Sequence, residues 1–306
     1  MLRRLLLFLS SATWARRWVT RLAPARALAS RFVAGETLDD ALAATHALNR
    51  KGLLVTLDLL GESVRSAQDT EGVVSTYREL LRRITDEEAQ ASISLKLTHL
   101  GLDISEELCI TNLRHILGDA KARGILVTID MESSEYTERT LRIYRTMRDE
   151  YDFDNVGTVI QAYLRRTPGD LRALAEEGAH IRLCKGAYLE PETVALPLKA
   201  DVDAQYADVM EAFLSAGKGY LCIATHDERM IERAETLLEA DPQRIRRSEF
   251  QMLYGIRSAR QESLAAAGYP VRVYLPFGEA WYPYFMRRLA ERPANLWFFV
   301  RSLVSR

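Results

Sequence analysis

From about Gly52 onward, short runs rich in aliphatic and β-branched residues alternate with longer stretches of helical periodicity. The β-like runs are LLVTLDLLGE (53–62), SISLKLT (92–98), ILVTIDME (125–132), GTVIQAYL (157–164), HIRLCKGAY (180–188), YLCIATHD (220–227), FQMLYGI (250–256) and VRVYLPFG (271–278). Helical stretches lie between them, at 72–84, 105–123, 134–151, 202–217 and 229–240. Such regular strand–helix spacing predicts βα units and a parallel sheet. Eight units predict a (βα)8 TIM-type barrel rather than a doubly wound sheet, with a C-terminal helix closing the mouth. No G-x-G-x-x-G follows any run, so a Rossmann dinucleotide site is not indicated.

Alternation within each run says which side chains face the barrel interior. Ile93, Leu95 and Leu97 form one set in the second run, leaving Ser94, Lys96 and Thr98 inward. The same rule turns Thr128, Asp130 and Glu132 inward against Val127 and Ile129. It also turns Gln161, Arg182, Cys184, His226 and Tyr274 inward, and in the first run Asp58 and Glu62. Glu62, Lys96, Asp130, Gln161, Arg182, His226 and Tyr274 thus converge on the C-terminal mouth of one barrel, where enzymes of this fold carry their active sites. Each buried polar group costs about 1–3 kcal/mol if left unpaired, so seven of them on separate strands point to chemistry.

The last helical segment, WYPYFMRRLAER (281–292), adds to that mouth. Tyr284, Arg287, Arg288 and Glu291 stand at i, i+3, i+4 and i+7 and share one face. With Lys96, the two guanidiniums make a cationic pocket suited to a small carboxylate-bearing metabolite. Three reaction classes stay open on these residues. A Schiff-base lyase or aldolase would use Lys96 or Lys185 as nucleophile. Metal chemistry would need ligand-like His spacing, which His46, His99, His115 and His180 lack, so no metal site is indicated. A redox enzyme would need an organic cofactor, since no side chain here accepts a hydride. A non-catalytic amino-acid sensor is a further alternative, one that would bind its ligand and reduce no acceptor.

Composition narrows the partners. The chain has 306 residues, 48% hydrophobic and 27% charged, and a net charge of −1 excludes a global field that recruits nucleic acid. Cys109, Cys184 and Cys222 are scattered, which indicates a reduced compartment and neither a disulfide framework nor a zinc site. The N-terminus is anomalous: every charged side chain before Glu36 is an arginine, and its LLLFL run is too short to span a bilayer. Residues 1–36 are read as a helical segment that packs on the body or touches a membrane surface, and 37–306 as the barrel.

Four stretches resemble the motifs of a known family: RLCKGAYLEP (182–191), CIATHD (222–227), EFQMLYGIR (249–257) and YLPFGEAWYPYFMRRLAER (274–292). Their order and spacing are similar to those of proline dehydrogenase, in its monofunctional, bacterial-type form, from about residue 37 to the C-terminus. The resemblance implies a (βα)8 barrel that holds FAD non-covalently and oxidises L-proline to Δ1-pyrroline-5-carboxylate by hydride transfer to flavin N5. It implies a membrane quinone as acceptor, and a cytoplasmic protein in peripheral contact with the inner face of the cell membrane.

Carried over to this chain, the resemblance assigns the proline carboxylate to Arg287, Arg288 and Lys96. Tyr274, Tyr284 and Leu253 would pack the pyrrolidine ring, and Asp130 would lie beneath it. Glu62 would gate the pocket by pairing with a closing-helix arginine, and Glu291 would orient the arginines. Arg182 would reach the redox edge of the flavin, with Gln161 and Met131 at its pyrimidine side. Lys185, Gly186 and Ala187 would bring backbone close to the cofactor, and Thr225 and His226 would meet its ribityl or pyrophosphate oxygens. The end at SLVSR implies that no aldehyde dehydrogenase half follows, and Tyr274 implies proline rather than 4-hydroxyproline.

Overall fold

The computed structural model describes residues 29–61 and 64–291, with Ala290 and Glu291 described as helix alone. Glu62, residues 1–28 and the side chain of Glu291 therefore lie outside the described residues. Eight parallel strands close into a barrel in sequence order: β1 (Leu54–Leu59), β2 (Ala91–Leu95), β3 (Val127–Ile129), β4 (Val156–Gln161), β5 (His180–Cys184), β6 (Tyr220–Ala224), β7 (Ser248–Leu253) and β8 (Val271–Phe277). Closure comes from β1 against β8, in register from Leu54↔Arg272 to Leu59↔Phe277.

Helices α1 (Leu38–Asn49), α2 (Ala67–Asp86), α3 (Glu106–Lys121), α4 (Ser134–Arg145), α5 (Thr167–Glu176), α6 (Lys199–Ala216), α7 (Glu228–Glu239), α8 (Ser258–Ala266) and α9 (Trp281–Glu291) surround it. Several starts are encoded locally. Thr37 with Asp40 and Ser66 with Asp69 form capping boxes before α1 and α2, which satisfy amide donors the first turn leaves open. The predicted helix 134–151 is α-helical only to Arg145 and continues as a π turn over Thr146–Glu150.

The alternation rule holds in both directions. Val55, Leu57, Ile93, Leu95, Val127, Ile129, Ile181, Leu183, Leu221, Ile223, Val273 and Leu275 are fully buried in the core shared with the helices. The opposite set fills the interior with polar groups joined from floor to mouth. Arg272 grips Glu249 at 2.7 and 3.1 Å, and Gln251 donates to Glu249 at 2.6 Å. Gln251 in turn accepts from Arg182 Nε at 2.5 Å, which carries the chain up to the mouth.

Most of the predicted runs outlast their strands at the C-terminal end. β2 stops at Leu95, so Lys96 sits one residue past it, before a tight turn over Thr98–Leu100. The side a residue faces persists beyond the last ladder bond, because the chain leaves the sheet in near-extended form before it turns.

Candidate active site

The centre of the mouth is an ion-paired cluster drawn from several strands. Arg182 donates to Asp130 at 2.6 Å, to Gln251 at 2.5 Å and to Ser94 at 2.9 Å, and its guanidinium lies 5.1 Å from the Tyr274 ring centre. Tyr274 donates its hydroxyl to Asp130 at 2.8 Å. Lys96 Nζ stands 3.6 Å from the same carboxylate and donates to both oxygens of Asp58, at 3.0 and 3.2 Å. Burial pulls Arg182 down, but the Asp130 charge together with Tyr274 and the nearby thiols Cys222 and Cys184 outweighs it, so the guanidinium stays firmly protonated. For Asp58 burial outweighs the Lys96 charge, so its carboxyl stands above the ordinary range. Burial, then the Asp130 charge, holds the Tyr274 phenol far above its ordinary range, so it remains a donor.

The closing helix α9 lies beside this cluster. Trp281, Tyr282, Tyr284, Phe285, Met286 and Leu289 pack with Phe32, Val33, Leu60 and Ile256, while Leu253 and Tyr274 flank the same patch. Trp281 anchors its start by donating to Glu36 at 2.9 Å. Tyr284 and Arg288 share a face as their spacing requires, the guanidinium 5.1 Å from the ring centre. Arg288 also sits close enough to β5 for its charge to act on the Cys184 thiol, which burial nonetheless pushes up to about 11. Arg287 and Arg288 are both half-buried.

A second part of the mouth is built on the ends of β4, β5 and β6. Gln161 donates through Nε2 to the carbonyls of Met131 and Glu132, at 3.0 and 3.1 Å, while its buried Oε1 has no partner among the described residues. Gly186 turns with φ +108°, and its Cα is pressed against Tyr163: a Cβ there would come 2.2 Å from the ring. Tyr163 N–H donates to the Lys185 carbonyl at 2.8 Å, which ties the β4 and β5 loops together. Thr225 Oγ1 accepts from the Asp227 amide at 3.1 Å. His226 Nε2 accepts from the Leu253 amide at 2.9 Å, so the ring braces the end of β7.

Lys185 is held by Asp203 and Asp227 at 2.5 and 2.7 Å, and Lys199 joins the same two carboxylates. Burial works against the Asp227 charge, but hydrogen bonds and charges from both lysines win and hold its carboxyl at about 2. Because this folded value lies below the ordinary 3.8, the stability it contributes is present above 3.8 and is lost as pH falls toward 2. An Asp227→Asn variant is expected to lose that acid-side slope in urea unfolding measured across this range. A slope unchanged from wild type would refute the assignment.

Asp58, Gln251, Glu249 and Arg272 belong to the interior network but not to the set singled out by sequence. Asp58 lies on the inward side of its run, and Glu249 and Gln251 share parity with Leu253. The signal is present in the sequence, but alternation names a side and not a partner.

Comparison with known proteins decides the affiliation. The profile of the proline dehydrogenase family matches residues 41–301. The chain belongs to this family. It is 42% identical to proline dehydrogenase 1 of Bacillus subtilis (strain 168) over 310 aligned positions, covering 100% of both chains. Against the proline dehydrogenase of Deinococcus radiodurans it is 42% identical over 280 positions, 90% of each chain. Among solved structures it superposes on proline utilization A from Bdellovibrio bacteriovorus inactivated by N-propargylglycine, with a TM-score of 0.80 and 26% identity. That match covers 87% of this chain and 33% of the longer one. Membership in the proline dehydrogenase family makes the chain an enzyme of the oxidoreductase class, on a (βα)8 barrel.

Proposed function

We propose that the mouth oxidises L-proline to Δ1-pyrroline-5-carboxylate with FAD as cofactor. The observation that carries this reading is one constellation: Lys96, Asp130, Arg182 and Tyr274 joined at the centre, with Arg288 stacked on Tyr284 beside them. A carboxylate meets two forked guanidiniums on α9. The pyrrolidine ring fits the wall made by Tyr274, Tyr284 and Leu253. A Schiff-base lyase is less well supported, because a nucleophilic lysine needs apolar or cationic surroundings. Lys96 and Lys185 each face two carboxylates instead.

The residues present fit a flavin. The Gln161 Oε1 left over by the protein is a buried acceptor for a ring N–H, and the Gly186 turn places backbone at the rim of the mouth. Gln161, Met131, Arg182, Lys185, Gly186, Ala187, Thr225 and His226 would hold it. When bound, FAD would supply a hydride acceptor, N5, for the proline carbon next to nitrogen, with a membrane quinone as the final acceptor.

This chain's own groups prepare that step. The α9 arginines orient the carboxylate, Arg182 is fixed by Asp130 and Gln251, and the amine must be neutral as its neighbouring carbon loses hydride. Positive charge at the mouth favours loss of the amine proton. Glu62 and Glu291 would set the closing helix by pairing with its arginines. The arginine-rich N-terminal segment would meet an anionic bilayer, where the quinone resides, from the cytoplasmic side.

The test is a visible spectrum of the purified protein under anaerobic conditions, before and after L-proline. Flavin bands that bleach are the expected result; a protein that stays colourless after FAD is supplied refutes the reading. Arg288→Lys is expected to raise the KM for proline about tenfold, since a point charge replaces a planar fork. An unchanged KM would remove Arg288 from the clamp.

A further inference from the structure

The connection from β5 to α6 runs over residues 185–198, far longer than the about two to six residues that commonly join a strand to the next helix. It opens with the Lys185–Gly186–Ala187 turn at the rim of the mouth. Its later part is fastened to the end of β4 by backbone. Leu196 donates to the Tyr163 carbonyl at 2.8 Å, Arg165 donates to the Val194 carbonyl at 2.9 Å, and Leu164 bridges Ala195. Between the turn and this fastening stands Glu190, to which the proposed reaction gives no task.

Glu190 reaches out of its own loop to α4. Its carboxylate accepts from the Ser134 amide at 2.7 Å and from the Ser134 hydroxyl at 2.5 Å, across 56 residues. Ser134 is the first residue of α4, and the N-cap Ser133 makes no side-chain cap bond. The carboxylate therefore satisfies an amide that the helix leaves open, at the end where the helix dipole favours negative charge. The segment leading into Ser134 carries Asp130 and Met131. Glu190 thus ties together the connections that follow β3 and β5, the two strands flanking β4 in the barrel. It also stands near Tyr163, the ring on which Gly186 is pressed: after burial, the Glu190 charge does most to hold that phenol above its ordinary range.

We propose that Glu190 is a positioning residue for the cofactor, whose bonds to α4 hold the Lys185–Ala187 turn against Tyr163 in fixed relation to the Asp130–Met131 segment. The proposal rests on the reading of the mouth as a flavin site. Glu190 acts through the backbone beside it and needs no contact with flavin or proline. Asp130 is held separately by Arg182 and Tyr274, so loss of the latch should loosen the flavin and spare the proline clamp.

The dissociation constant of FAD, read from the visible absorbance the protein retains after dialysis against known FAD, tests this on four proteins. Glu190→Ala loses both bonds to a charged acceptor and is expected to raise the constant about tenfold. Ser134→Ala keeps the amide bond and should raise it about threefold. The double variant should stay within about twofold of Glu190→Ala, because the hydroxyl acts only through Glu190. The KM for proline, measured with FAD in excess, should stay within about twofold of wild type in all of them.

An unchanged FAD constant in Glu190→Ala overturns the proposal. So do effects that multiply fully in the double variant, or a KM that rises in step with the FAD constant, which is the mark of a general loosening. Should Glu190→Ala fail to fold, Glu190→Gln keeps an acceptor for the amide without the charge. It is then expected to raise the constant about threefold, and no rise overturns the proposal. A wild-type protein that retains no FAD is a separate failure: it removes the flavin reading, and this proposal with it.

Discussion

Replacing Asp130 with alanine is expected to cut proline turnover about 100-fold and to lower the unfolding temperature by roughly 6–10 °C. The carboxylate accepts from Arg182 at 2.6 Å and from Tyr274 at 2.8 Å, with Lys96 at 3.6 Å. Removing it leaves Arg182, 6% exposed, without its ion-pair partner. Breaking a buried pair from one side costs about 3–5 kcal/mol, because the remaining charge cannot regain water. Asp130→Asn keeps an acceptor for Tyr274 but not the charge, so it should fall between alanine and wild type. Calorimetry and steady-state kinetics on the three proteins decide the point. Wild-type values for alanine would mean that Arg182 is held by Gln251 and Ser94 alone.

Gly186→Ala is the second large effect: bound flavin, read as visible absorbance per protein, should fall at least about tenfold. Two costs act together. A φ of +108° is a conformation that an alanine rarely adopts, and its Cβ would stand 2.2 Å from the Tyr163 ring. Tyr163 is itself buried, and the clash reaches its Cγ as well as Cδ1 and Cε1, so the ring cannot simply swing its far end aside. Gly186→Ala combined with Tyr163→Ala removes the clash and keeps the backbone strain, and should recover flavin only in part. Gly118→Ala in α3 is the control. Nothing lies within 4 Å of its Cβ, and a helical glycine-to-alanine change stabilises by about 0.5–1 kcal/mol. Full flavin in Gly186→Ala would show that this turn does not carry the cofactor.

What is legible before the fold is known follows from what alternation encodes. Each of the eight β-like runs overlaps a strand, because a buried parallel strand needs one aliphatic set toward the helices, as Val127 with Ile129 and Ile181 with Leu183 show. Lys96, Asp130, Arg182 and Tyr274 face inward as expected and meet at one point. The β-like runs overshoot the strands, since side-chain alternation continues past the last strand residues Leu95 and Cys184. The π turn over Thr146–Glu150 leaves no mark in the pattern, because its composition continues that of the helix before it.

Local pattern and motif were enough for the barrel, the inward-facing polar set, the arginine pair on the closing helix and the family. Which charges neutralise which was settled only by the folded chain. Asp58 pairs with Lys96 across 38 residues, and Gln251 with Arg182 across 69. Side-chain period is a local property of the backbone, whereas pairing depends on barrel closure and stagger, which place residues from distant strands at the same height. The Asp58–Lys96 pair exists only once β1 lies beside β2, and the Tyr274–Asp130 bond only once β8 and β3 stand in the same closed barrel.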